Sequence, residues 1–166
     1  MAADDKDWKS QVTPLAEPKR RHAAPPTPRL PTLSPIVDNY ATFDINIAEN
    51  KTVKARRPDV SHTLLRELAS DRVRIDAQID LHGLTRNQAH LRLLQFLQQA
   101  RSMGHRTLLV IHGKGHHTDD GAGVLADEVL TTLCRGKGAP LVLAVTTAHR
   151  RWGGTGALVV KLVKAR

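Results

Sequence analysis

The sequence predicts an α/β protein: a βαβαββ two-layer sandwich on a mostly parallel four-stranded sheet, preceded by a largely disordered N-terminal extension. Three observations predict it. Short apolar runs rich in Val, Ile and Leu recur at 75–81, 106–111, 141–145 and 157–163, each of strand length. Between the first three lie two segments, 85–103 and 124–134, whose apolar residues repeat at helical spacing. Helical connections between strands imply right-handed crossovers, so strands one, two and three should run parallel.

The extension is read from composition. Seven of the nine prolines (Pro14, Pro18, Pro25, Pro26, Pro28, Pro31 and Pro35) lie in residues 1–35. Such a stretch buries too little apolar surface to offset chain entropy. Its basic cluster Lys19-Arg20-Arg21-His22 reads either as solvated linker or as an arm that docks on RNA, DNA or a ribonucleoprotein. Phe43-Asp44-Ile45-Asn46-Ile47 alternates as a short strand or an anchoring segment would. The extension is taken as residues 1–54. Residues 55–72 form a linker with a short helix near Ser61–Ser70, striped by Leu64, Leu65 and Leu68, and 73–166 are the folded domain.

Within that domain, strand one (75–81) runs into a helix whose start is marked by Thr85 with Gln88 three residues on, a capping box. Ala89, Leu93, Phe96, Leu97, Ala100 and Met103 share one face of it, and Gly104 is placed to end it. Arg106–Ile111 is nearly all apolar, as a strand buried on both faces requires. The second helix carries Leu125, Val129, Leu130 and Leu133 inward, and Gly136 and Gly138 mark its exit.

Charge bounds the partners. The net charge is +9, and residues 1–54 hold eight Lys/Arg against seven Asp/Glu, while 55–166 hold seventeen against nine. The basic surplus belongs to the foldable part, which points to a polyanion, nucleic acid above all, or to a solvated basic face. The single cysteine, Cys134, excludes an internal disulfide framework and fits a reducing compartment. The N-terminus carries no apolar run for a secretory signal, and no stretch approaches the ~20 apolar residues of a membrane span. A cytoplasmic location and no membrane partner are the expectation.

Ligands of open α/β sheets bind at the carboxyl ends of the strands. Strand one ends in Ile79-Asp80-Leu81-His82-Gly83 and strand two in His112-Gly113-Lys114-Gly115. Strand three runs into His149-Arg150-Arg151-Trp152, and Gly153-Gly154-Thr155-Gly156 precedes strand four. If strand four returns antiparallel, all four stretches share one edge. Strand side chains alternate, so Asp80 and His82 face one way and Leu81 the other. Histidine suits proton transfer near neutral pH, and a neighbouring carboxylate can orient it. Asp80 reads equally as a turn or cap residue and His82 as a structural histidine. Gly113-Lys114-Gly115 can form an anion nest with one cation, or an ordinary turn. Trp152 reads as a base-stacking platform flanked by cations, or as cover for the sheet edge.

Other chemistries are unsupported. No P-loop or dinucleotide glycine pattern and no G-x-S-x-G occurs. His112, His116 and His117 fall across a glycine-rich loop without a cysteine pair, so no zinc site is expected. Asp80, Asp119 and Asp120 have oxygen ligands for a hard divalent ion but no spacing that fixes them.

These motifs, in this order and separated by these elements, resemble the Smr (small MutS-related) domain over about residues 73–166, in the layout of stand-alone bacterial members with a Pro-rich extension. The resemblance implies a fold similar to the C-terminal domain of bacterial translation initiation factor three. It implies nucleic-acid binding and, in many members, an endonuclease that nicks DNA or cleaves RNA, in some at collided ribosomes. By position it carries the Asp-Leu-His motif onto Asp80, Leu81 and His82, and the Gly-x-Gly motif onto Gly113, Lys114 and Gly115. The family often has a basic residue in the first turn of the second helix, where this chain has Val124–Glu128 with two acids. Lys114, Arg150 and Arg151 are then expected to supply the charge.

Two functions lead, ahead of a regulatory or interaction domain that binds some other phosphorylated ligand. One is an endonuclease with Asp80, His82 and Lys114 catalytic and Gly83, His112, Gly113, Gly115, Arg150, Arg151, Trp152, Gly153, Gly154 and Gly156 on nucleic acid. It needs no cofactor on RNA, and on DNA a divalent cation could serve to activate the attacking water. The other is a non-catalytic nucleic-acid-binding module. In either, the extension is the candidate tether to a ribosome.

Overall fold

The computed structural model describes residues 42–114 and 122–165. The basic cluster at 19–22, the loop residues Gly115, His116, His117, Asp119 and Asp120, and the expected disorder of residues 1–41 lie outside them. The described elements run β1 (Asp44–Ile47), β2 (Val53–Arg56), α1 (His62–Leu68), β3 (Ala77–Asp80), α2 (Arg86–Ser102), β4 (Thr107–Ile111), α3 (Ala122–Cys134), β5 (Val142–Thr147) and β6 (Ala157–Leu162).

The local signals act as read. Thr85 accepts from the Gln88 amide while the Gln88 side chain accepts from the Thr85 amide, completing the capping box of α2. At the other end Gly104 takes φ +78°, and the amides of Gly104 and His105 bond the carbonyls of Arg101 and Ala100. That is a Schellman closure, and it needs the left-handed residue that glycine supplies. Ser61 caps α1 through the Leu64 amide.

The fold class is α/β as expected, but among the described residues the sheet has six strands, in the order β1-β2-β5-β6-β4-β3. Only β3 and β4 pair in parallel; every other pair is antiparallel. The crossover from β4 through α3 does carry β5 into the same direction as β3 and β4. However, β6 inserts between β4 and β5 instead of lying outside them. The mostly parallel four-stranded sheet is corrected accordingly: three of those four strands point the same way, yet two of their three pairings are antiparallel. β4 and β6 each have a strand on both sides and are buried almost throughout, which explains their apolar runs.

The boundary at residue 54 is also corrected, because it falls inside β2. β1 and β2 form a hairpin that extends the sheet beside β5, with Lys54 opposite Thr146 and Ala55 opposite Val145. Only Ala55 of β2 is fully buried, so Val-Lys-Ala-Arg carries almost no apolar signal. This is the usual state of a strand near a sheet edge, where charges discourage further pairing.

Alternation divides the sheet into two faces. Leu108, Val110, Val145, Leu158, Val160 and Leu162 pack against Ala89, Leu93 and Leu97 of α2 and Val129 and Leu133 of α3. On the opposite face Leu109, Ala144, Ala148, Ala157 and Val159 pack against Leu65 and Leu68 of α1. α1 thus covers part of a face that a two-layer sandwich leaves open. Cys134 lies in the first core, and burial pushes its thiol up to about 12, so it is an inert core residue.

Candidate active site

Because β1, β3, β4 and β5 run one way and β2 and β6 the other, one edge of the sheet collects the ends of four strands and the starts of two. Just past the end of β3, Leu81 is fully buried against the α2 side, while Asp80 and His82 emerge on the face that carries α1. Gly83 follows at φ +74° and turns the chain toward the α2 cap. One carboxylate oxygen, Asp80 Oδ1, accepts both the His82 backbone amide at 3.0 Å and the His82 ring Nδ1 at 2.6 Å. The turn-residue and orienting readings of Asp80 are therefore both met by one atom. A carboxylate only accepts, so Nδ1 carries the proton and Nε2 is the nitrogen left to exchange one. The pair is open to a ligand, with side chains 71% and 48% exposed for His82 and Asp80. Partial desolvation pushes the Asp80 carboxyl up. The two His82 hydrogen bonds and its charge outweigh that and hold it below the usual carboxylate value.

The end of β4 stands beside this pair. A Cβ placed on Gly113 (φ +85°) would lie 3.4 Å from His82 Cβ. The start of β6 closes from the other side: a Cβ on Gly156 would meet Lys114 Cγ at 2.9 Å and the Lys114 amide nitrogen at 3.3 Å. The Gly156 carbonyl accepts both the His112 and the Gly113 amides at 3.0 Å. The expected nest at Gly113 is thereby corrected, because its N–H is already spent on the sheet and is not free for a phosphate.

His112 differs from His82. It is buried on the α2/α3 side, and its Nδ1 donates to the Gly113 carbonyl at 2.9 Å. Desolvation pushes its pKa below the ordinary histidine value, and that hydrogen bond offsets it only in part. The ring pins the turn and, at 7% exposed, offers little surface to match its expected place on nucleic acid.

The β5–β6 connection brings the remaining cations. His149 Nδ1 accepts the Arg151 amide at 3.3 Å and starts a 3-10 turn, Arg150–Trp152. Gly153 (φ +113°) and Gly154 (φ +58°) then reverse the chain into β6. Arg150 and Arg151 are exposed, whereas Trp152 is half-buried against the α1-side core with the Arg151 guanidinium 5.6 Å from its ring centre. The ring thus serves as cover for the core and also carries a cation near its face.

The acids of α3 fall elsewhere than expected. The helix begins at Ala122, so Asp127 and Glu128 lie in its second turn and its first turn holds no acid. Glu128 bridges to α2, receiving His90 Nδ1 at 3.0 Å, Arg86 Nη2 at 3.3 Å and Thr132 Oγ1 at 3.3 Å. It ties the two helices together.

Among the described residues no three His, Cys, Asp or Glu side chains gather as a metal site would, and no helix is long and apolar enough to cross a membrane.

Fold and edge together define an α/β domain that presents a carboxylate-held histidine among strand-end cations. The Smr domain family model matches residues 79–163, from within β3 to just past β6, and the chain belongs to that family. It is 31% identical over 99% of its length to a protein of Escherichia coli K12 named "Probable DNA endonuclease SmrA", of which it covers 91%. It is 34% identical over 63% of its length to the "Ribosome rescue factor SmrB" of Yersinia enterocolitica, of which it covers 54%. Among solved structures it resembles YdaL, a stand-alone small MutS-related protein of Escherichia coli. That match has a TM-score of 0.57 at 28% identity and covers 76% of this chain and 96% of that one.

Proposed function

We propose that this protein is an endonuclease that cleaves phosphodiesters of RNA or DNA at the edge formed by the ends of β3 and β4 and the β5–β6 turn. The observation that carries the reading is the His82 ring, fixed through Nδ1 by Asp80 and 71% exposed at the sheet edge where β4 also ends. On RNA, Nε2 takes the proton of a 2′-hydroxyl. Its oxygen attacks phosphorus, and the 5′-oxygen leaves with a proton from solvent, giving a cyclic phosphate and a 5′-hydroxyl. Lys114 offsets the charge gathered on the phosphorane, and Arg150 and Arg151 hold flanking phosphates. On DNA water must attack, and a hydrated divalent cation supplied with the substrate would activate it. The names of the relatives support a nucleic-acid role: one is called a probable DNA endonuclease and the other a ribosome rescue factor. A cytoplasmic setting, with the N-terminal extension as a tether to the ribosome, accords with the second.

The experiment is to incubate the full chain with single- and double-stranded RNA and DNA, with and without a chelator, and to analyse the product ends. Cyclic phosphate ends that survive the chelator support the 2′-hydroxyl route. Chelator-sensitive cleavage of DNA supports the water route. One observation favours a second reading, a non-catalytic binding module: the Gly113 amide is committed to Gly156, which removes one expected donor to the phosphorane. No product from any substrate, with binding retained, would select that reading.

A further inference from the structure

The β1–β2 hairpin lies outside the segment matched by the family model. β1 ends and β2 begins at the same edge of the sheet as Lys114 and the β5–β6 turn, because β1 runs with β4 and β5. Between hairpin and turn runs an open groove of about 530 Å³, lined among others by Asn50, Thr52, Lys54, Lys114, Arg150 and Thr155. Three of these are cations and none is a carboxylate. Of the hairpin's own acids, Asp44 pairs with Arg56 at 3.5 Å, and Glu49 does not line the groove. Among the described residues Lys54, Lys114 and Arg150 form no ion pair. Asn50 Oδ1 accepts the Thr52 amide, which leaves its NH₂ to donate. Lys54 is exposed and opposite Thr146, on the face that also carries Asp80 and His82.

We infer that the hairpin is the far wall of the nucleic-acid site, with Lys54, Thr52 and Asn50 gripping the sugar–phosphate backbone of a strand that reaches them from His82. The inference rests on the nucleic-acid reading above and says where the substrate runs. β2 and β3 are separated by β5, β6 and β4. Four strand spacings of ~4.8 Å put the wall roughly 19 Å from the Asp80–His82 pair. At ~3.4 Å of rise per nucleotide, that is about five or six steps along a helical strand. The wall therefore contributes only to substrates long enough to span the edge. Its cations read backbone charge and not sequence.

The test is the salt dependence of binding by the full chain to labelled RNA and DNA, each as a trinucleotide and as an oligonucleotide that spans the edge. Lys54→Gln removes one phosphate contact, so the slope of log K against log salt should shrink by about one for the long oligonucleotide. The trinucleotide should be unaffected, and Lys54→Arg should restore the slope. Lys164→Gln, which changes an exposed cation just beyond the opposite end of β6, should leave both slopes unchanged. An unchanged slope for Lys54→Gln on the long oligonucleotide, or equal losses on both lengths, overturns the inference while the nucleic-acid reading stands. Wild-type protein that binds neither RNA nor DNA overturns both.

Discussion

Gly156→Ala probes how the start of β6 sets the position of Lys114. Gly156 does not take a positive φ, so alanine meets no backbone strain there. The added Cβ instead meets Lys114 Cγ at 2.9 Å, and Gly113 C and Lys114 N at 3.3 Å, against 3.4–4 Å for ordinary contact. The Lys114 side chain must swing away, and the 113–114 backbone must give by a few tenths of an ångström. That strains the Gly156 carbonyl's two hydrogen bonds and the Gly113–His82 contact. Overpacking costs about 1–3 kcal/mol. The low end, about 1 kcal/mol, applies because the closest contact is to a flexible, exposed side chain. The melting temperature should fall by roughly 2–8 °C. Cleavage should fall further than stability explains, by about 10- to 100-fold, since misplacing a catalytic group by 1 Å can cost about 100-fold. The assay is thermal denaturation followed by cleavage well below the melting temperature. Gly138→Ala is the contrast: its Cβ would meet the Thr132 carbonyl oxygen at 2.7 Å, far from the edge, so it should destabilise the fold without slowing cleavage by folded protein. A Gly156→Ala protein that melts lower but cleaves and binds like wild type would refute the claim that this packing positions the site.

Asp80 acts through His82, so the two should be non-additive. Asp80→Asn should slow cleavage about tenfold in wild type and hardly at all in a His82→Ala background, as read from a double-mutant cycle; equal effects in both would sink the coupling. His112, whose folded pKa is depressed, charges more readily unfolded than folded. Its stability contribution is therefore full above about 6.5 and is lost as pH falls below that value toward the folded one. His112→Gln should flatten that part of the stability profile in denaturant titrations across this range; an unchanged slope would contradict the burial argument. Cys134, with its thiol pushed up to about 12 and 2% exposed, should react with a thiol reagent only at the rate of unfolding. Rapid labelling of native protein would be the contrary outcome.

Much of this was legible because the signals are local. The Thr85/Gln88 box, Gly104 and the apolar runs of β4 and β6 each depend on neighbours in sequence, and each appears where it was read. The convergence of strand ends followed from chain direction alone, which the helical crossovers fix. What escaped depends on partners distant in sequence. Nothing in Ala157–Leu162 states that the strand lies between β4 and β5. Val53–Arg56 shows no apolar pattern, since one buried alanine suffices for a strand beside β5. The committed Gly113 amide is invisible without the Gly156 carbonyl opposite it. The acids of α3 looked misplaced only because a start two residues too late put Asp127 and Glu128 in the first turn, whereas Glu128 is spent on Arg86 and His90.

The most direct measurement is the single-turnover cleavage rate of His82→Ala against wild type, on whichever of RNA or DNA the wild-type protein cuts, with binding measured in parallel. A general acid–base role is worth about 10²–10⁴-fold. The account predicts a loss in that range with affinity retained. It would be contradicted by a His82→Ala protein that cleaves at the wild-type rate.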